Sequence, residues 1–195
     1  MSVNTSFGYS LGLPGAISIT GSSETQIVVP PFAYNSGSPV PSPAFAAGAP
    51  LQIQFPADVS SGSSSVDGHP FKVKITGVIT PGTAATDFAA TLYLGNSATI
   101  GSNTKLTNVT AQAAAAGSSY NFTLEVTLLW DSTSKAVNGS YTFQVGNTAA
   151  VTTGSLDTAG SNVSDSGLVF TFTTTFAAQT GTASLYLKEF VIEAA

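Results

Sequence analysis

The sequence predicts an all-β protein, and three observations carry that prediction. Apolar and polar residues alternate with period two through much of the chain from about residue 46 onward, as in strands with one buried face. Clusters of Gly, Asn, Asp and Ser separate these stretches, as turns separate strands. No stretch longer than a few residues shows the helical period. The predicted fold class is therefore an antiparallel β-sandwich.

The first 45 residues differ from the rest and predict an extended N-terminal arm. Six prolines interrupt this segment, and proline cannot donate to a central ladder. One short strand is predicted at 25–29. The arm either folds back on its own domain or lies on a neighbouring subunit, where its apolar residues would be the contact anchors. These anchors are Phe7, Tyr9, Val28, Val29, Phe32, Tyr34 and Phe45. The predicted domains are thus an arm, 1–45, and a β-sandwich, 46–195.

Eight strands are predicted in the sandwich. They span 50–55, 71–79, 88–95, 104–110, 119–130, 139–146, 167–176 and 183–193. The strand from Tyr120 to Trp130 alternates most regularly, which predicts that Phe122 and Leu124 are core residues. In the seventh strand, alternation places Phe172 in the core and Thr171 and Thr173 on the wet face.

Local features refine these elements. Asn138-Gly139 is a typical hairpin-turn pair and is assigned to the turn before the sixth strand. The alternation loses phase near Lys188 and Glu189, which predicts a β-bulge. The Ala-rich run at 111–116 is expected to make at most one helical turn. Eight strands with a long entry arm match a jelly roll, and a nine-stranded immunoglobulin-like sandwich is the alternative.

The charge content is unusually low for a folded chain. Charged residues make up 8% of the sequence, with five Lys, no Arg and ten acids. Typical domains have about 25%. A surface of Ser, Thr, Asn, Gly and Ala suits packing between subunits, although a hydroxyl-rich secreted monomer is an alternative. Without Arg or a basic stripe, nucleic-acid binding is not expected.

The sequence shows no feature of redox chemistry or of targeting. The absence of Cys removes disulfides and thiolate chemistry. No secretory signal or membrane span is visible, so synthesis in the cytoplasm and no membrane partner are expected.

Three patterns were weighed as chemistry, and each is better explained as structure. Gly8-Tyr9-Ser10-Leu11-Gly12 matches a nucleophile elbow, but no helix is predicted after the serine. His69 is the single histidine and lies in a predicted turn. Asp157, Asn162 and Asp165 match no EF-hand calcium-loop spacing. No catalytic, cofactor-binding or metal-ligating residue is predicted, and the protein is not expected to be an enzyme.

Aromatic residues offer a possible sugar platform. Trp130 falls on the apolar face of its strand and is expected in the core. Tyr34, Tyr93 and Tyr186 are the remaining candidates for stacking on a glycan.

The sequence resembles tailed-bacteriophage capsid cement (decoration) proteins. The matching features are the Pro-rich segment from Pro30 to Pro50, the strand pattern from Leu51 onward, and a last strand, Leu185 to Ile192, near the terminus. The resemblance implies a structural protein, often a homotrimer, on the outer capsid surface of the virion. There it would bridge major capsid protein subunits and further copies of itself. A phage tail or head fibre that recognises a glycan, or a secreted carbohydrate-binding module, is the alternative.

Overall fold

The computed structural model describes residues 16–27, 33–35, 38–40, 70–95, 100–131, 136–146, 151–159 and 169–194. These ranges contain thirteen strands and one 3-10 turn, at Ile100–Ser102. The strands are β1 Ile17–Thr20, β2 Thr25–Gln26, β3 Ala33–Asn35, β4 Ser38–Val40, β5 Pro70–Thr80, β6 Thr86–Gly95, β7 Thr104–Lys105, β8 Gln112–Ala114, β9 Tyr120–Asp131, β10 Ala136–Val145, β11 Thr152–Ala159, β12 Val169–Ala177 and β13 Thr182–Ala194.

The strands form two antiparallel sheets that pack as a β-sandwich. One sheet has six strands in the order β1-β13-β5-β9-β10-β11. The other has the order β2-β12-β6-β7, with β8 also paired to β6. A separate hairpin joins β3 and β4. The predicted fold class is confirmed, with eleven strands in the two sheets rather than eight.

The strand order is that of a jelly roll. Strands β1, β13, β5 and β9 lie side by side in one sheet, and β2, β12, β6 and β8 follow the same order in the other. Each member of the first set is joined along the chain to its counterpart in the second, so paired strands wrap around the core. The hairpin β10–β11 widens the first sheet beyond β9.

The core lies between the sheets and is rich in phenylalanine. Phe88 packs against Phe122, Phe143 and Phe176, with ring centroids 5.2, 6.1 and 4.9 Å away. Phe122 and Leu124 are 1% and 0% exposed, as the alternation predicted.

Residues 17–27, which sequence analysis assigned to the arm, contribute to both sheets. Ile17 to Thr20 pair with β13, and Thr25 and Gln26 pair with β12. Ile27 N donates to Phe172 O at 2.9 Å. Ile19 and Ile27 are buried in the core. This part of the segment therefore folds back on its own domain, whereas the division at residue 45 remains a prediction.

The predicted β-bulge and the predicted hairpin turn have different outcomes. The bulge is confirmed, because the register with β5 shifts between Leu187 and Glu189. The Asn138-Gly139 prediction is wrong, since both residues lie within β10 and the β9–β10 connection precedes them. Gly139 has φ 152° and approaches β9 so closely that a Cβ would lie 2.0 Å from Thr127 O. The glycine is required by strand contact rather than by a turn.

Two further predictions need correction. The Ala-rich run contains β8 rather than a helical turn. The predicted strand at 104–110 is paired only at Thr104 and Lys105, because Leu106 N and Thr107 N both donate to Leu92 O. Thr107 Oγ1 then accepts from Leu92 N at 3.0 Å, so a side chain takes the place of a ladder partner.

Candidate interaction surface

The two sheets present different outer faces. On the five-stranded sheet, Thr91, Thr171 and Thr173 point away from the phenylalanine core yet are only 3%, 0% and 0% exposed. Sequence analysis placed Thr171 and Thr173 on a wet face, and that prediction is wrong. We call this surface the covered face.

The covered face carries a set of polar contacts. The Asn103 amide donates to Thr171 Oγ1 at 3.0 Å. The Glu24 carboxylate accepts from Tyr93 Oη at 2.9 and 3.1 Å and from Thr173 Oγ1 at 2.6 Å. Burial, followed by the hydrogen bond and negative charge of Glu24, raises the pKa of Tyr93 to about 12. Tyr93 is thus a structural donor that helps to fix Glu24, just before β2.

The outer face of the six-stranded sheet is accessible to water, and we call it the open face. Its side chains are mostly hydroxyls, amides and a few charges. They include Lys72, Lys74, Asn121, Glu125, Thr127, Leu129, Asn138, Ser140, Thr153, Ser155, Tyr186 and Lys188, all of which are exposed. Two of the three large hydrophobic residues exposed in the described part of the chain, Leu129 and Tyr186, lie on this face.

The described charges on the open face nearly balance in sign, with three Lys and two Glu, and one pair of them is in contact. Lys74 Nζ lies 3.3 Å from Glu189 Oε2, and both side chains are partly exposed. Thr76 Oγ1 donates to the same carboxylate at 3.5 Å. Lys188 Nζ donates to Asn121 Oδ1 at 3.0 Å. Such exposed pairs contribute little to stability, but they leave a surface with little net charge.

Most predicted contact anchors fall outside the described residues. This is so for Phe7, Tyr9, Val28, Val29, Phe32 and Phe45, while Tyr34 is described only as part of the backbone of β3. Their role as subunit contacts remains a prediction. The sequence does not reveal the open face, which becomes apparent only when the middle of one outer face is seen to be buried and the other outer face exposed.

Nearly all of the residues considered for chemistry lie outside the described part of the chain. Gly8 to Gly12, His69, Asn162 and Asp165 lie outside the described residues, and Asp157 belongs to β11. Within the described ranges, no group of three or more His, Asp or Glu side chains is placed to hold a metal ion. None of the helical segments described there is long and apolar enough to cross a membrane.

Of the three tyrosines considered for glycan stacking, only Tyr186 is exposed on a described surface. Tyr93 is buried and bonded to Glu24, which removes it as a platform. Trp130 belongs to β9, and its side chain lies outside the described set.

Comparison with known proteins gives only distant likenesses. No family model matches the chain, and no curated protein matches it. Among solved structures, winged bean acidic lectin complexed with methyl-α-D-galactose has a TM-score of 0.40 at 11% identity, over 98% of this chain and 99% of the lectin. Peanut lectin with a nine-residue peptide has a TM-score of 0.39 at 10% identity, over 100% and 98%. A structure of infectious bursal disease virus, Gx strain, has a TM-score of 0.26 at 12% identity, over 99% of this chain and 50% of the viral chain. The fold class rests on the strand order.

Proposed function

We propose that the chain is a structural virion protein, a capsid cement (decoration) protein that bridges neighbouring subunits on the outer shell. The observation that carries the proposal is the open face: a broad, regular sheet surface, rich in hydroxyls, whose few described charges nearly balance in sign. A soluble monomer usually keeps many mixed charges on such a surface. The partners proposed are the major capsid protein and further copies of the chain, as a homotrimer, with no nucleic acid and no cofactor.

The size of the open face is sufficient for a specific contact. Six strands spaced about 4.8 Å apart, with about ten residues rising about 3.4 Å each, give a face on the order of 800 Å². That is about the area each partner contributes to a standard protein interface. Repeated over many symmetric copies, even a modest contact of this size adds a large total stabilisation.

The test compares capsids that carry the chain with capsids that lack it. The chain should be present in hundreds of copies per particle and should raise the temperature at which capsids release DNA. The variant Ser140→Glu places a charge on the open face between Thr127 and Ser155, with no lysine directly opposite it, and should abolish both binding and the temperature shift. Ala113→Glu, at an exposed position on β8, is the control and should bind normally. Equal binding by both variants would place the contact elsewhere.

Glycan binding is the second candidate, and exposed Tyr186 favours it. A tyrosine ring on a sheet surface can stack on a sugar, and hydroxyl and amide groups beside it can supply hydrogen bonds. A glycan-array signal that disappears in Tyr186→Ala, together with a few copies per particle, would support a fibre or a carbohydrate-binding module and would overturn the cement proposal.

A further inference from the structure

The edges of the two sheets are not equally protected against pairing with other chains. Natural proteins keep edge strands short, bulged or charged, because free N–H and C=O groups are a template for another strand. β1 has four residues and β2, β7 and β8 have two, two and three. The exception is β11, an edge strand of eight residues.

β11 has the regularity that pairing requires. All eight residues are in continuous register with β10, from Ala136 opposite Ala159 to Phe143 opposite Thr152, without a bulge. The strand contains no Pro and no Lys, and Asp157 is its single charge. Within the described residues, no strand pairs with its other edge.

The inner face of β11 packs on the sandwich. Leu156 is buried in the core, and the Tyr141 ring covers Gly154 so closely that a Cβ there would lie 2.4 Å from it. Thr153 and Ser155 are exposed on the open face. The strand is therefore fixed in position, and its outer edge faces away from β10, where none of the described strands pairs with it.

We propose that β11 pairs antiparallel with β11 of a second copy, with the two-fold axis at Ser155. Residues opposite each other in a sheet share a face, which requires odd-numbered residues to meet odd-numbered ones here. Centring on Ser155 places the Thr153 position opposite the Asp157 position of the second copy, so in this register no acidic position lies opposite its own copy. The two six-stranded sheets then form one continuous sheet.

A second copy is the occupant because the segment is self-complementary about this axis. The contact deepens the proposed function by naming one partner of the chain, and it is compatible with a trimer, since two-fold contacts can join trimers. Its test uses purified protein without capsids, so the two proposals can fail separately.

The first experiment is oxidation of Ser155→Cys. The chain has no cysteine, so the introduced thiol is the single one. Directly opposed residues of antiparallel strands lie about 4.5–5.5 Å apart between Cα atoms, within the range for a disulfide. Ser155→Cys should give covalent dimers. Ser140→Cys is the matched control, since Ser140 faces Ser155 on the neighbouring strand of the same molecule and is equally exposed. Equal cross-linking of both variants would overturn the proposal.

The second experiment is the solution mass by sedimentation as a function of concentration. Ser155→Lys places two ammonium groups opposite each other and should raise the dimer Kd at least tenfold, so that the mass halves at a fixed concentration. Ser140→Lys should leave the mass unchanged. A mass that Ser155→Lys does not alter would overturn the contact. If the mass does not change but the chain still stabilises capsids, the β11 contact is wrong and the cement function stands. If the chain forms the β11 dimer but does not bind capsids, the contact stands and the cement function is wrong.

Discussion

Phe122 lies at the centre of the core, where its ring packs against Phe88 at 5.2 Å. Replacing it by Ala removes a fully buried ring and leaves a cavity that the two sheets cannot close. We expect a loss of about 3–5 kcal/mol in the free energy of unfolding, measured by denaturant titration. Thr127→Ala, an exposed position on the same strand, should change it by less than about 0.5 kcal/mol. Similar values for the two variants would contradict the strand assignment.

Tyr93 and Glu24 make stability depend on alkaline pH. The pKa of Tyr93 rises from 10.0 to about 12 in the folded protein, so its contribution is fully present below pH 10 and is lost as pH rises through 12. Wild type should therefore lose more stability than Tyr93→Phe over that interval. Glu24→Gln removes the carboxylate but not the burial, so spectroscopic titration should show a Tyr93 pKa that is lowered yet still above 10. An unchanged pKa would exclude Glu24 as a cause.

For single residues, the alternation predicts which side chains enter the core but not which outer face is covered. Phe122 and Leu124 are buried as the period-two pattern requires. Thr171 and Thr173 show the same alternation, yet they are buried too. Their hydroxyls bond to Asn103 and Glu24, which are distant in the chain, and no local pattern contains those contacts.

Gln112 joins the short strand β8 of one sheet to the backbone of β10 in the other. Its Oε1 accepts from Val145 N at 2.7 Å, and its Nε2 donates to Phe143 O at 3.2 Å and to Thr152 Oγ1 at 3.0 Å. The amide thus supplies ladder partners at the point where β11 begins. Gln112→Glu keeps the acceptor and the size but cannot donate when ionised. We expect it to lower the free energy of unfolding by about 1–3 kcal/mol.

The measurement for Gln112 is equilibrium unfolding, with Ala113→Ser as the exposed neighbouring control. Gln112→Ala should also lower the free energy of unfolding, because Val145 N then loses its acceptor. A cost for Gln112→Glu no larger than that of the control would mean that water replaces the donor.

The segment that contains β1 and β2 is a part of the sandwich rather than a detachable arm. Deletion of residues 1–27 removes Ile19 and Ile27, which are 2% and 1% exposed. Ile19→Ala and Ile27→Ala should each cost about 2–5 kcal/mol, and the deletion at least as much as the larger of them. Thermal unfolding checks this, with Ser18→Ala, an exposed position on β1, as the control. A deletion that leaves the Tm unchanged would show that the core closes without these strands.

The strands that the sequence did not predict are those without an alternating apolar pattern. β11 reads Thr-Thr-Gly-Ser-Leu-Asp-Thr-Ala, with one large apolar residue, so only its pairing with β10 reveals it. β8 is built from Gln and Ala, which have weak strand propensity. In contrast, β5 and β9 carry long alternating patterns, and their bounds agree with the predictions to within one residue.

The whole molecule combines a jelly-roll core with an outer surface of few charges. The alternation and the turn clusters were sufficient to predict the class, but the strand order depends on contacts between residues far apart in sequence. Pairing of β1 with β13, and of β2 with β12, closes the wrap by joining the beginning of the described chain to its end.

The low charge content leads to a prediction about assembly. With charged residues at 8% of the sequence and the described charges of the open face nearly balanced in sign, contact with capsid subunits should depend on buried area rather than on attraction between net charges. Raising the NaCl concentration to about 1 M shortens the Debye length to about 3 Å and screens exposed charges. We therefore expect the stabilisation of capsids by the chain, measured as the rise in DNA-release temperature, to change little with salt. A rise that disappears at high salt would indicate an electrostatic contact, and the open face would then be the wrong surface.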